Sequence, residues 1–322
     1  MSLWLAILLL VIGFVLLIWG ADFFVDGASK VADRMKIPQI VIGLTIVAFG
    51  TSAPEAAVSI SAGLKGSADL AVSNVVGSNI LNIGIILGIS ALITPLAVQK
   101  GTRKFEMPYV MITTILLMLL GMFDGKLGWV DGLILWAGMI LFLVYLLNVA
   151  KKGKSEAKEE EDTGKKKAPI IWLIAKIIIG GVAIVFGSDF AVDGATAIAT
   201  SMGWSERLIG LTIVALGTSL PELVTSVIAA IKKNADIAIG NIVGSNIFNI
   251  LFVLGTTALI TPVAYQNAFI IDNIVAFVMA LLLFLFVVNK DCKLKRWGGV
   301  VLLGAYVVYF VYLMINPFGY GV

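Results

Sequence analysis

The chain contains the segment GLTIVAFGTSAPE at residues 43–55 and repeats it, almost unchanged, as GLTIVALGTSLPE at residues 210–222. The two copies are 167 residues apart, and the same offset aligns residues 20–95 with residues 187–262 without a gap. Of the 76 aligned pairs, 42 are identical. The sequence therefore predicts a chain built from two homologous halves.

The composition predicts an integral membrane protein. Of the 322 residues, 60% are hydrophobic and 13% are charged, against about 25% charged residues in soluble domains. There is no histidine, and Cys292 is the single cysteine, which excludes an intrachain disulfide and the usual zinc sites. Without histidine, a reactive cysteine or a large soluble domain, an enzyme is not expected, and no cofactor is implied.

Ten apolar segments are long enough to cross a bilayer, since a spanning helix needs about 20 mostly apolar residues. They cover residues 3–29, 39–64, 69–95, 105–123, 129–149, 169–199, 206–231, 236–261, 267–288 and 297–316. The sequence thus predicts an all-α integral membrane protein with ten transmembrane helices.

A charged stretch at residues 150–168 separates five spans from five. We therefore expect a first repeat at 1–149, a linker at 150–168 and a second repeat at 169–322. Because five is odd, the second repeat enters the membrane from the opposite side. Two inverted five-helix repeats are typical of secondary transporters whose binding site lies between the repeats.

The lysine and arginine residues predict the orientation in the cell membrane. With ten spans, 20 of the 23 basic residues collect on one side, and the other side has only Lys65, Lys126 and Arg207. Cytoplasmic loops are enriched in Lys and Arg, so the linker is predicted to be cytoplasmic and both termini extracellular. The basic residues form no single patch, so nucleic acid is not an expected partner. The lipid bilayer is, while no protein partner is implied and a monomer would suffice.

Two glutamates inside apolar spans are the strongest candidates for function. Glu55 and Glu222 each follow a proline, Pro54 and Pro221. Proline lacks an N–H and clashes with the carbonyl four residues back, so each helix should bend there and free backbone oxygens. A buried carboxylate is costly in a bilayer, and no basic residue lies in the repeated segments 43–55 and 210–222 to pair with it. A bound cation would neutralise the pair; protonated structural acids are the alternative.

Hydroxyl and amide groups recur at helical spacing beside these glutamates. Residues three or four apart share a helix face, and the groups so placed are Thr51 and Glu55, Thr218 and Glu222, Asn74, Ser78 and Asn82, and Asn241, Ser245 and Asn249. All are hard oxygen donors, which suit Ca²⁺ and the similarly sized Na⁺. For the Ser and Asn residues, interhelical hydrogen bonding is the alternative.

The GTSAPE, GTSLPE and two GSNI-x-N segments resemble the repeat motifs of the cation/calcium exchanger superfamily, most closely those of the prokaryotic sodium/calcium exchangers. In these terms the motifs cover residues 43–83 and 210–250. The resemblance implies an antiporter exchanging Na⁺ for Ca²⁺ by alternating access. It also implies calcium ligands at Thr51, Glu55, Thr218, Glu222, Ala48 and Ala215, and sodium ligands at Ser52, Ser78, Ser219 and Ser245.

Asn82 and Asn249 mark a departure within that resemblance. Potassium-dependent exchangers typically have Asp at the second of these positions, whereas both are Asn here. We therefore expect a site with two carboxylates and no K⁺ requirement. A Ca²⁺/H⁺ antiporter that uses the same glutamates, and a cation channel, remain alternatives.

Overall fold

A computed structural model describes residues 2–65, 69–156, 169–203, 215–288 and 290–315. Within these residues, eight helices are long and apolar enough to cross a membrane. They are α1 (Leu3–Met35), α4 (Leu70–Ile93), α5 (Lys100–Asp124), α6 (Trp129–Glu156), α7 (Ile170–Ser201), α10 (Ala235–Ile260), α11 (Ala268–Val287) and α12 (Arg296–Ile315).

Shorter helices lie between them, namely α2 (Gln39–Thr51), α3 (Ala53–Leu64), α8 (Ala215–Thr218) and α9 (Leu220–Ile231). Helices α2 and α3 together form a ninth candidate span with a bend of 50°. This confirms the break predicted at Pro54, which lies in the first turn of α3. The corresponding break in the second half separates α8 from α9 at Ser219. Residues 204–214, which begin the predicted seventh span, lie outside the described residues.

One boundary differs from the prediction. Helix α6 continues to Glu156, although the linker was expected to begin at residue 150. Lysine and glutamate are good helix formers, so a helix can extend beyond the apolar span. Residues 157–168 of the linker and the end of the chain, from residue 316, lie outside the described residues.

Helices α4 and α10, which carry the GSN segments, form the centre of the bundle. They are the most buried of the long helices, whereas α1, α6 and α12 have few buried residues. Large apolar side chains such as Trp4 and Phe123 lie on the outside, as a lipid environment requires. Wide π-helical turns interrupt α2 at Gly43–Val47, α4 at Asn82–Leu87 and α10 at Asn249–Leu254.

Helices α1 and α7 form a long antiparallel pair through glycine contacts. A Cβ atom added to Gly13 would lie 2.7 Å from the carbonyl oxygen of Gly187, and one added to Gly20 would lie 2.9 Å from that of Gly180. Residues later in α1 therefore contact residues earlier in α7, so the two helices run antiparallel. Small residues allow this close approach of two backbones in a membrane.

Two short antiparallel ribbons connect the halves. Strand β1 (Leu96–Ala97) pairs with β4 (Lys293–Leu294), and β2 (Lys126–Leu127) pairs with β3 (Val263–Ala264). The 167-residue offset converts β1 into β3 and β2 into β4, so it exchanges the two ribbons. Because α5 connects β1 to β2 and is long enough to cross the membrane, the ribbons lie at opposite ends of the bundle.

Candidate cation site

The two helix breaks face each other in the centre of the bundle and bring the glutamates together with serines of the opposite half. Glu55 and Glu222 are both fully buried. The Ser52 hydroxyl donates to Glu222 Oε1 at 2.8 Å, and the Ser219 hydroxyl donates to Glu55 Oε1 at 3.2 Å. Each carboxylate is therefore bound by the break in the other half.

The hydroxyls on the Glu222 side form a directed chain. Ser52 Oγ lies 2.8 Å from both Glu222 Oε1 and Ser245 Oγ. Because an ionised carboxylate only accepts hydrogen bonds, Ser52 donates to Glu222 and accepts from Ser245. Thr51, on the same break, donates to Asn241 Oδ1 at 2.9 Å. Residues of both motifs thus meet around one carboxylate.

Several buried oxygens of the predicted ligands have no hydrogen-bond partner among the described residues. They are Glu55 Oε2, Glu222 Oε2, Thr218 Oγ1, Asn82 Oδ1 and Asn249 Oδ1. A buried polar atom without a partner is costly, and a buried charge more so. No described lysine or arginine forms an ion pair with either glutamate. Five unpartnered oxygens, two of them on carboxylates, fit a hard cation such as Ca²⁺.

The site differs from a cluster of acidic metal ligands. In the part of the chain that the structure describes, no group of three or more His, Cys, Asp or Glu side chains could hold a metal ion. Two carboxylates combined with neutral hydroxyl and amide oxygens place less charge around the cation than three or four carboxylates would. Such a donor set suits a cation that must be bound and then released.

The remaining predicted ligands, Ser78, Ala48 and Ala215, differ in their contacts. Ser78 is buried but makes no hydrogen bond to a described residue, unlike its counterpart Ser245. The Ala48 carbonyl accepts from the Ser52 N–H at 2.9 Å. Ala215 begins helix α8, and its side chain lies outside the description.

Two asparagines of the motifs connect helices rather than reach the unpartnered oxygens. Asn74 Nδ2 donates to Ser59 Oγ, and Asn241 Nδ2 donates to Ser226 Oγ, each at 2.9 Å. For Asn74 and Asn241, the contacts are therefore interhelical hydrogen bonds, the alternative to ion binding. The two bonds attach α4 to α3 and α10 to α9, and so hold each glutamate-bearing helix against a GSN helix.

The glycines four residues before the two prolines, Gly50 and Gly217, have different surroundings in the two halves. The Gly217 carbonyl accepts from the Ser188 hydroxyl of α7 at 2.8 Å. Gly50, its counterpart, lies against the ring of Phe24, which a Cβ atom on Gly50 would approach to 3.0 Å. The position equivalent to Ser188 is Ala21, which has no hydroxyl to donate.

Asn79 and Asn246, the middle asparagines of the two GSN segments, were not among the residues predicted from the sequence. They are buried and exchange hydrogen bonds with each other across the two halves. They lie one residue beyond Ser78 and Ser245 and so fall outside the i, i+4 spacing that begins at Asn74 and Asn241. Their presence in both copies of a polar motif inside a membrane span was the available signal.

An all-helical membrane bundle with hard oxygen donors buried between its halves belongs to the class of proteins that move cations across membranes. The chain matches the sequence profile of the family described as "Sodium/calcium exchanger protein" over residues 5–148 and 172–315. It belongs to this family, which confirms the resemblance of its repeat motifs.

Individual relatives match along almost the whole chain. The putative antiporter CaxA of Alkalimonas amylolytica is 39% identical over 313 residues, which cover 94% of this chain and 97% of that protein. The sodium/calcium exchanger MaX1 of Methanosarcina acetivorans is 32% identical, with 95% and 97% covered. A structure of the sodium-calcium exchanger NCX_Mj superposes with a TM-score of 0.84 at 34% identity and covers 97% of this chain and 100% of that one.

Proposed function

We propose that this protein is an antiporter that exchanges Na⁺ for Ca²⁺ by alternating access and does not require K⁺. The observation that carries the proposal is the pair of fully buried glutamates, Glu55 and Glu222, each with a carboxylate oxygen that has no described partner. Two carboxylates balance one Ca²⁺ in charge, and Na⁺ ions can replace it. Reorienting the site without a cation would expose two uncompensated charges to a low-dielectric interior, which favours exchange over one-way conduction.

The antiparallel packing of α1 and α7 supports the inverted repeat. These helices are equivalent under the 167-residue offset, and they run in opposite directions. The exchanged ribbons at opposite ends of the bundle support the same arrangement. We propose ten transmembrane helices in two inverted five-helix repeats, with α8 and α9 lying in the predicted seventh span, 206–231.

An asymmetry between the halves supports alternating access. Helix α1 packs against α9, whereas the equivalent helices α7 and α3 make no comparable contact within the described residues. As a result Val58 of α3 is 49% exposed, while its counterpart Thr225 of α9 is fully buried. Lys232, just after α9, forms an ion pair with Asp22 of α1 at 2.8 Å. The equivalent residues Lys65 and Asp189 form none with each other. The bundle is thus closed at one end of the site and looser at the other.

Ion pairs between α1 and lysines of the predicted cytoplasmic side support the proposed orientation. Lys30 and Lys176 both form ion pairs with Asp26, at 2.8 Å and 2.6 Å, and Lys232 reaches the same helix at Asp22. The three lysines come from different loops or helices that the charge distribution assigns to one side. We propose that this side is cytoplasmic, with both termini outside.

The test is Ca²⁺ flux into proteoliposomes driven by a Na⁺ gradient. We expect flux with Na⁺, no dependence on K⁺, and loss of flux in Glu55→Gln and Glu222→Gln. Glu106→Gln is the matched control, because Glu106 is also buried and also has an oxygen without a described partner, but it lies on α5 and accepts from Tyr145 at 2.8 Å rather than from a serine of the helix breaks. If Glu55→Gln or Glu222→Gln leaves the flux intact, the proposed site is wrong.

Gradient substitution in the same vesicles tests the alternatives. Flux driven by a pH gradient without Na⁺ would identify a Ca²⁺/H⁺ antiporter that uses the same glutamates. Ca²⁺ conduction with no counter-ion at all would identify a channel. For the Na⁺-coupled protein we expect acidic pH to inhibit, because protons then compete with cations for the two carboxylates.

A further inference from the structure

We propose that Asn79 and Asn246 are positioning residues, each of which fixes the side-chain amide of an asparagine in the opposite half so that its oxygen faces the cation. Asn79 acts on Asn249, and Asn246 acts on Asn82. This inference deepens the proposed function and rests on it. All four side chains are buried.

The argument starts from two bonds whose direction chemistry decides. Asn79 Nδ2 donates to the main-chain carbonyl of Asn246 at 3.1 Å, and Asn246 Nδ2 donates to the main-chain carbonyl of Asn79 at 3.2 Å. A carbonyl oxygen can only accept. The two ends of an Asn amide are otherwise hard to tell apart, but here the nitrogen must face the opposite carbonyl. The Oδ1 atoms of both residues therefore point elsewhere.

These two oriented oxygens in turn orient a second pair of amides. Asn79 Oδ1 accepts from Asn249 Nδ2 at 3.4 Å, and Asn246 Oδ1 accepts from Asn82 Nδ2 at 3.0 Å. Since an amide oxygen accepts and does not donate, Asn82 and Asn249 must turn their nitrogens toward this network. Their Oδ1 atoms are left on the other side, buried and without a described partner.

Helix spacing places the unpartnered oxygen of Asn249 on the side of the carboxylates. Asn249 follows Ser245 by four residues and so shares its helix face, and Ser245 binds the Ser52 hydroxyl that donates to Glu222. If the amide of Asn249 were reversed, it would present an NH₂ group, whose hydrogens carry positive partial charge, toward the same region. The network therefore decides whether each asparagine attracts or repels a cation.

The pair Asn79–Asn249 and the pair Asn246–Asn82 are oriented independently of each other. Asn246 is held by the main-chain carbonyl of Asn79, so removing the Asn79 side chain leaves that bond in place. It removes only the acceptor for Asn249 and the donor to the Asn246 carbonyl. We therefore expect the Asn79 side chain, in the first half, to control Asn249, a ligand in the second half.

The experiment is a pair of double-mutant cycles read by calorimetric titration of the purified full-length protein with Ca²⁺ in Na⁺-free buffer. We expect Asn79→Ala to weaken Ca²⁺ binding about tenfold, the lower end for loss of a group that orients a metal ligand. In an Asn249→Ala background, Asn79→Ala should cause no further loss. In an Asn82→Ala background it should cause its full loss.

The mirror variant, Asn246→Ala, should lose its effect in the Asn82→Ala background and keep it in the Asn249→Ala background. It also serves if Asn79→Ala fails to fold, and thermal unfolding without Ca²⁺ identifies such a variant. The inference is overturned if the losses of Ca²⁺ affinity multiply when both members of a contacting pair are replaced. It is also overturned if Asn79→Ala or Asn246→Ala has the same effect in the Asn82→Ala and Asn249→Ala backgrounds. A wild-type protein that binds no Ca²⁺ would refute the proposed function, and this inference with it.

Discussion

The ion pair between Asp22 and Lys232 is expected to stabilise one of the two access states of the site. It connects α1 to the end of α9 on the side that we propose to be cytoplasmic, and Lys232 also donates to the Asp22 main-chain carbonyl at 2.9 Å. Replacing Lys232 with Gln removes the charge but preserves an amide donor. The cytoplasmic end should then open more readily, which shifts the protein toward the inward-facing state.

The size of the shift follows from the exposure of the pair. The two side chains are 57% and 31% exposed, for Asp22 and Lys232 respectively, so water screens their attraction. Ion pairs of this kind contribute at most about 1 kcal/mol, which corresponds to about a fivefold change in an equilibrium constant. Because apparent affinity scales with the fraction of the competent state, binding from the two sides should change in opposite directions.

The assay measures the apparent Ca²⁺ affinity from each side in proteoliposomes of known orientation. Lys232→Gln should weaken extracellular Ca²⁺ binding by up to about fivefold and strengthen cytoplasmic binding. Lys65→Gln is the matched control at the equivalent position. Lys65 forms no ion pair with Asp189 in this structure. If that pair forms in the inward-facing state, Lys65→Gln should change the two affinities in the directions opposite to those for Lys232→Gln. If the pair forms in neither state, Lys65→Gln should leave both affinities unchanged.

A charge-swapped variant, Asp22→Lys with Lys232→Asp, should restore the balance between the two sides. The reasoning is refuted if Lys232→Gln changes both affinities in the same direction, because a general loss of stability or of site geometry would do that. It is also refuted if the charge swap leaves the sided change in place.

Two further predictions concern the serines of the helix breaks and the glycine contacts. Ser52→Ala removes two hydrogen bonds of 2.8 Å, whereas Ser219→Ala removes one of 3.2 Å. Since a hydrogen bond to a charged group contributes about 1.5–3 kcal/mol, Ser52→Ala should weaken Ca²⁺ binding at least tenfold and more than Ser219→Ala, and equal losses in a titration would contradict this. Gly20→Val should lower stability by about 1–3 kcal/mol through overpacking, because its Cβ would lie 2.9 Å from a backbone oxygen of α7. Gly304→Ala, where nothing lies within 4 Å of the added Cβ, should leave thermal unfolding in detergent unchanged, and an equal loss in both variants would count against the packing argument.

Much of the architecture was predictable because a bilayer imposes strong local constraints. Segment length and apolarity predicted α1, α4, α5 and their equivalents, since only long apolar helices satisfy their backbone in lipid. The bend before Pro54 follows from proline chemistry alone. The glutamates stood out because an acid in an apolar span needs a reason to be there. Family membership followed from the two motif pairs.

What the chain could not reveal by itself is how the halves meet. The bond from Ser52 to Glu222 joins residues 170 positions apart, and that from Ser219 to Glu55 joins residues 164 apart. A repeat in sequence is equally compatible with serines that bind their own glutamate or the opposite one. Only the docking of the two breaks against each other selects the crossed arrangement.

The same division holds for the asparagines and for the asymmetry of the bundle. The sequence by itself determined which polar groups enter the membrane, because burial of each one is costly wherever it lies. The tertiary structure decided that Asn79 and Asn246 face each other. It also decided that Lys232 forms an ion pair with Asp22, whereas Lys65 forms none with the equivalent residue, Asp189. Nearly identical segments carry the same local preferences, so the differences between them arise from packing against the rest of the bundle, which the 167-residue repeat does not encode.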